Sequence, residues 1–116
     1  MSEFPFSVES ILEQCGGNAA VALEVLKELM NQVPADETEM QSGFDSNTLI
    51  TTSKAAHRLK GTAGVLGADK LHALCAALEI AAKEERFDDA KKIFDELKTE
   101  SKRCIDYVPI VQQKLQ

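Results

Sequence analysis

His57 stands in the stretch AAHRLKGTAGVLGA, Ala55 to Ala68, with Lys60 at the third position after it and Gly61 at the fourth. A neutral imidazole is a nucleophile near pH 7, and a phosphoryl group is one electrophile it can take onto nitrogen. A lysine on the adjacent helical turn can reach the same region and offset the negative charge that such a group brings. Three glycines, Gly61, Gly64 and Gly67, recur at every third position of what otherwise reads as a helix. Gly61 and Gly64 each weaken a helix interior by about 1 kcal/mol relative to Ala.

Helical geometry gives those glycines a direction. At roughly 100° per residue, Thr52, Ala55, Leu59, Ala63 and Leu66 gather opposite His57. Ile50, Ser53, Lys54, Lys60, Gly61, Gly64 and Ala68 fall on the histidine's own side. A core histidine is excluded by this arrangement, so His57 faces solvent. A solvated face with no task would gain from Ala at both interior glycines. Glycine at i+4 and i+7 instead clears the turns beside the ring, so that another protein can approach the imidazole closely.

The elements that position this histidine are helical throughout. Ser7 caps a short helix bearing Val8, Ile11, Leu12 and Cys15, with Phe6 and Ile11 spaced as a hydrophobic staple and Gly16 as its stop. Asn18 caps a second helix whose stripe of Ala22, Val25, Leu26, Leu29 and Val33 is expected to stop at Pro34. The acidic stretch PADETEMQSGFDSN, residues 34–47, reads as a helical turn or two and then a loop.

A long helix from about Thr48 to Leu66 carries His57, closed by Gly67, with Asp69 as the cap of the next. Leu71, Leu74, Cys75, Leu78 and Ala82 form one stripe. After a break near Arg86 to Asp88, the stripe resumes as Ala90, Ile93, Phe94, Leu97, Ser101, Cys104, Ile105 and Val108. Pro109 should kink or end the last helix. Four substantial helices with short connections predict an all-α, antiparallel four-helix bundle with a short N-terminal helix. The expectation is one domain over residues 1–116, with its core over about 7–108.

AHRLKGTAGVLGA followed by LCAALE closely resembles the histidine-containing phosphotransfer (HPt) domain family: a His, Lys at +3, Gly at +4, small residues and a closing Gly-Ala. The motif spans Ala56 to Glu79, and the helical pattern from Ser7 to Val108 fits that family's bundle. The resemblance implies that His57 is the phosphoacceptor of a two-component phosphorelay, that Lys60 stabilises the phosphoryl group, and that Gly61 gives a receiver domain room to dock. Ser53, Lys54, Arg58, Gly64 and Ala68 would border the docking surface. The implied partners are response-regulator receiver domains and a hybrid sensor histidine kinase. The implied role is that of a phosphoryl carrier, not an autokinase, with no cofactor of its own and with Mg²⁺ held in the receiver.

Composition bounds the remaining possibilities. With 13 Lys+Arg against 19 Asp+Glu the formal charge is -6, which disfavours nucleic acid and anionic lipid and favours a protein partner. No run approaches the roughly 18 apolar residues of a membrane span, and MSEFPFSVES lacks a basic leader, so the expected setting is the cytoplasm. No second continuous apolar face is evident, and a monomer is expected. Cys15, Cys75 and Cys104 lie in apolar patterns and read as reduced thiols.

Competing chemistries are weaker. An autokinase needs a nucleotide-binding domain with phosphate-cradling loops, and GTAGVLG is not one. His72 and Cys75 have a metal-compatible spacing, but two ligands fall short of a tetrahedral zinc site. The paired carboxylates Glu84/Glu85, Asp88/Asp89 and Asp95/Glu96 sit on polar faces without a distinct acid or base. A helical adaptor without chemistry is the alternative function.

Overall fold

The computed structural model describes residues 4–116. Residues 1–3, included in the expected 1–116 domain and in the reading of the N-terminus, lie outside the described residues. Among the described residues the chain forms five helices: α1 Val8–Gln14, α2 Ala19–Asp45, α3 Ile50–Leu66, α4 Asp69–Lys83 and α5 Phe87–Leu115. Each long helix packs on the next in sequence, and α5 closes back on α2. With tight connections, that adjacency makes an antiparallel four-helix bundle. α1 packs chiefly on α3 and also touches α2 and α5.

Local chemistry sets the first two helix starts. Ser7 accepts a hydrogen bond from the Ser10 amide at 3.0 Å, and Asn18 accepts one from the Val21 amide at 3.1 Å, each satisfying an amide that the first turn leaves open. Phe6 and Ile11 are both buried, as a staple requires. Gly16, with φ 63°, follows the end of α1, and Gly67, with φ 72°, closes α3 in the left-handed conformation that glycine adopts without strain.

The expected break at Pro34 is absent: α2 runs unbroken for 27 residues, and the segment expected to become a loop is helical as far as Asp45. The buried positions explain this. Ala22, Leu26, Leu29, Val33, Asp36, Met40 and Gly43 alternate spacings of four and three straight through the proline. Pro34 removes one backbone hydrogen bond and crowds the preceding turn, a cost of about 3 kcal/mol. Burial of Met40 alone offsets a large part of that.

Gly43 brings α2 against α3. A methyl group there would collide with Thr52 Oγ1, which donates to the Met40 carbonyl at 2.7 Å.

Smaller differences follow the same logic. α3 begins at Ile50 rather than Thr48, with buried Leu49 at its cap. Asp69 is the first residue of α4 and not its cap, because Ala68 holds that place without a side-chain hydrogen bond. The turn between α4 and α5 falls at residues 84–86, where Glu85 has φ 53°. α5 passes through Pro109 to Leu115, and its buried face extends to Val111, beyond the expected core limit of 108. An exposed proline costs a backbone bond there, while Val108 and Val111 hold the helix on the bundle.

Candidate functional site

α3 presents His57 as its sequence dictates. Thr52, Ala55, Leu59, Ala63 and Leu66 are fully buried, whereas the His57 side chain is 67% exposed. A methyl group on Gly61 would meet nothing within 4 Å, so the surface beside the ring is open there. One on Gly64 would rest 3.7 Å from the His72 ring. Lys54, Arg58 and Gly64, expected at the docking rim, are exposed.

Two expected rim residues are not on the surface. Ser53 is 8% exposed and lies in the groove between α3 and α4. Ala68 is fully buried, because Gly67 turns the chain out of the helix and the angular reckoning of α3 no longer applies beyond it. Ala68 is thereby excluded from an exposed rim, whereas Ser53 meets it only as part of the groove lining.

The groove beside His57 is lined by Ser53, Lys54, Arg58, Glu79 and Lys83. Glu79, to which the sequence reading assigns no role, organises it. His57 Nδ1 lies 3.0 Å from Glu79 Oε2, Lys60 Nζ donates to Oε1 at 2.8 Å, and Lys83 Nζ lies 3.1 Å from Oε2. Lys60 therefore meets the histidine through this carboxylate. The sequence signal for Glu79 was its spacing: it follows Cys75 by one helical turn, on the edge of the α4 core stripe, where a solvated carboxylate is not expected.

The hydrogen bond from Lys60 is the main cause that holds the Glu79 carboxyl well below its ordinary range, at about 2; burial opposes it, and Lys83 adds to it. Glu79 is therefore an ionised, acceptor-only group at neutral pH. Its partner Nδ1 must be the donor, so the neutral His57 ring carries its lone pair on Nε2.

On the other side of the ring, Arg58 reaches α2. Its Nε and Nη2 donate to Asp36 Oδ1 at 3.2 and 3.0 Å, and Nη2 also donates to Glu39 Oε2. The acidic segment after Pro34 thus belongs to the surroundings of the site, a contact between residues 22 positions apart for Arg58 and Asp36.

The cysteines stand apart from this chemistry. Burial is the first cause that pushes the Cys75 and Cys104 thiols up to about 12, so both stay protonated and unreactive. Cys75 lies in the core while His72 is exposed, and among the described residues no three His, Cys, Asp or Glu side chains gather as a metal site.

A family model described as the Hpt domain matches residues 24–106. The chain belongs to the Hpt domain family. Its role is histidine phosphotransfer in phosphorelays. No curated protein matches the chain. Among solved structures it is similar to the HPT domain from the Hpt sensor hybrid histidine kinase of Shewanella, with 24% identity, 95% of each chain covered and a TM-score of 0.83. That likeness shows that this Hpt domain shares the same bundle. Among the described residues no helix of it is long and apolar enough to cross a membrane.

Proposed function

We propose that His57 is the phosphoacceptor of this Hpt domain and that Nε2 is the reacting atom. The observation that carries the reading is the His57–Glu79 contact: an exposed ring whose Nδ1 is held by an ionised carboxylate leaves Nε2 free and nucleophilic. A receiver domain docks across Gly61 and brings its aspartyl phosphate to the ring. The Nε2 lone pair forms the N–P bond as the P–O bond to the aspartate breaks, and the aspartate leaves as a free carboxylate. Reversal onto a second receiver passes the group on.

Glu79 stays ionised beside Nδ1–H and stabilises the positive charge that the ring acquires as the N–P bond forms. Lys60 is a positioning residue in this account, since its ammonium holds Glu79. Lys54, exposed in the same groove, is the cation at hand for the phosphoryl oxygens, and Lys83, although paired with Glu79, is exposed enough to join it. Mg²⁺ acts from the receiver's acidic pocket, and this chain supplies the histidine.

The chain works as a carrier with no autokinase activity of its own. GTAGVLG, which would have to cradle nucleotide phosphates, forms the last turns of α3 and its left-handed close. The partners are receiver domains and a hybrid sensor histidine kinase, met by a monomer in the cytoplasm.

The test is transfer from a radiolabelled phosphorylated receiver, with Mg²⁺, to the parent and to His57→Gln. Acid-labile, alkali-stable label on the parent alone supports the assignment. Label on the variant would place the phosphoryl group elsewhere, and no label from any of a panel of receivers would favour an adaptor bundle.

A further inference from the structure

The two flanks of His57 differ in charge. Toward α4, Lys54 and Lys83 are exposed along the groove, over the single carboxylate of Glu79. Farther along, Glu84 and Glu85 join Lys54 and Lys83, but Glu84 is engaged by Arg86. Toward α2 the balance reverses: one cation, Arg58, faces the two carboxylates of Asp36 and Glu39.

The α2 cluster is built in layers. The Asp36 side chain is 4% exposed, and Gln32 Nε2 donates to its Oδ2 at 3.0 Å while Arg58 occupies Oδ1. Arg58 is thereby fixed from beneath, and its guanidinium is committed to carboxylates and not to a group on His57. Glu39 is half-exposed above it, so the carboxylate that exceeds the available cation is the one a partner meets. Exposed ion pairs contribute little to stability, and charge at an interface rim acts mainly on encounter and partner choice.

We propose that the Asp36–Arg58–Glu39 cluster determines which receiver domains this chain serves, by setting an acidic α2 flank opposite a cationic α4 flank across His57. The receiver selected presents a cation toward Glu39 and a carboxylate-bearing rim toward Lys54 and Lys83. Asp36 and Arg58 are positioning residues in this device, and Glu39 is the group the partner reads. The proposal rests on His57 as the phosphoacceptor.

The test uses the full chain with Glu39→Lys and Glu39→Gln, a panel of phosphorylated receiver domains, and phosphoramidate as a small donor that needs no docking. Phosphoramidate labelling should be the same in parent and variants. For the receiver that the parent prefers, Glu39→Lys should raise KM by roughly tenfold with kcat held, and Glu39→Gln should do so less. The rank order of the panel should change, and the differences should shrink at high salt.

Unchanged KM and rank order would overturn the proposal. So would an equal fall in phosphoramidate labelling, which would mean that the cluster acts on the ring itself. Failure of phosphoramidate to label the parent on His57 would overturn the phosphoacceptor assignment and this proposal with it, and so separates the two failures.

Discussion

Glu79 receives contacts from His57, Lys60 and Lys83, and the chemistry of the site depends on its charge. Glu79→Gln keeps a hydrogen-bonding side chain but loses both ion pairs and the fixed acceptor for Nδ1–H. Transfer should fall by about 10- to 100-fold, by analogy with the loss seen when the partner that orients a metal-bound histidine is removed. The stability effect has a defined sign. A carboxyl lowered from 4.5 to about 2 contributes fully above the higher value and loses that contribution as pH falls toward the lower. The stability gap between parent and Glu79→Gln should therefore be constant at neutral pH and close between about 4.5 and 2, as denaturant titrations across that range would show. A gap that persisted at the acid end would mean that packing, not charge, sets the role of Glu79. His57, Lys60 and Gly61 were legible because their types and spacings lie within one helical turn or so. Glu79 and Asp36 were not, since their partners lie 19 to 22 positions away and a buried carboxylate in a core stripe reads as an interruption.

At the scale of elements, α3 carries the histidine, α4 supplies Glu79 and Lys83, and α2 flanks the site through Asp36 and Glu39. Pro34 lies inside α2 on its exposed side, and nothing in the burial pattern requires a proline there. Pro34→Ala should restore the missing bond and stabilise the protein by about 1–3 kcal/mol, a rise in Tm of several degrees for a domain of this size. A lower Tm would show that the proline fits a bend on which the bundle depends. The helices themselves, their stripes and the bundle topology were readable from apolar periodicity. The continuation past Pro34 was hidden because Asp36 occupies a stripe position where an apolar residue would have signalled the helix, and its compensation by Arg58 exists only once α3 is in place. The fates of Ser53 and Ala68 were hidden for a related reason: one lies low in the groove that α4 forms beside α3, and the other follows a left-handed turn, and neither shows on the angular pattern of α3 alone.

For the molecule as a whole, the site is an open face on the helical bundle, and function requires another protein to reach it. A methyl group on Gly61 would meet no other part of this chain within 4 Å, and the proposed role of the glycine is to leave that opening to the docking receiver. Gly61→Leu should leave Tm unchanged or raise stability by up to about 1 kcal/mol while abolishing transfer from receivers. Transfer at the parent rate would remove the role of the glycine in docking. The assignment of Nε2 as the reacting atom is tested most directly by a ¹⁵N spectrum of the histidine-labelled protein after phosphorylation by a receiver domain. The phosphoryl group should be found on Nε2 of His57, with Nδ1 still protonated against Glu79. Phosphorylation at Nδ1 of His57, or at His72, would contradict it.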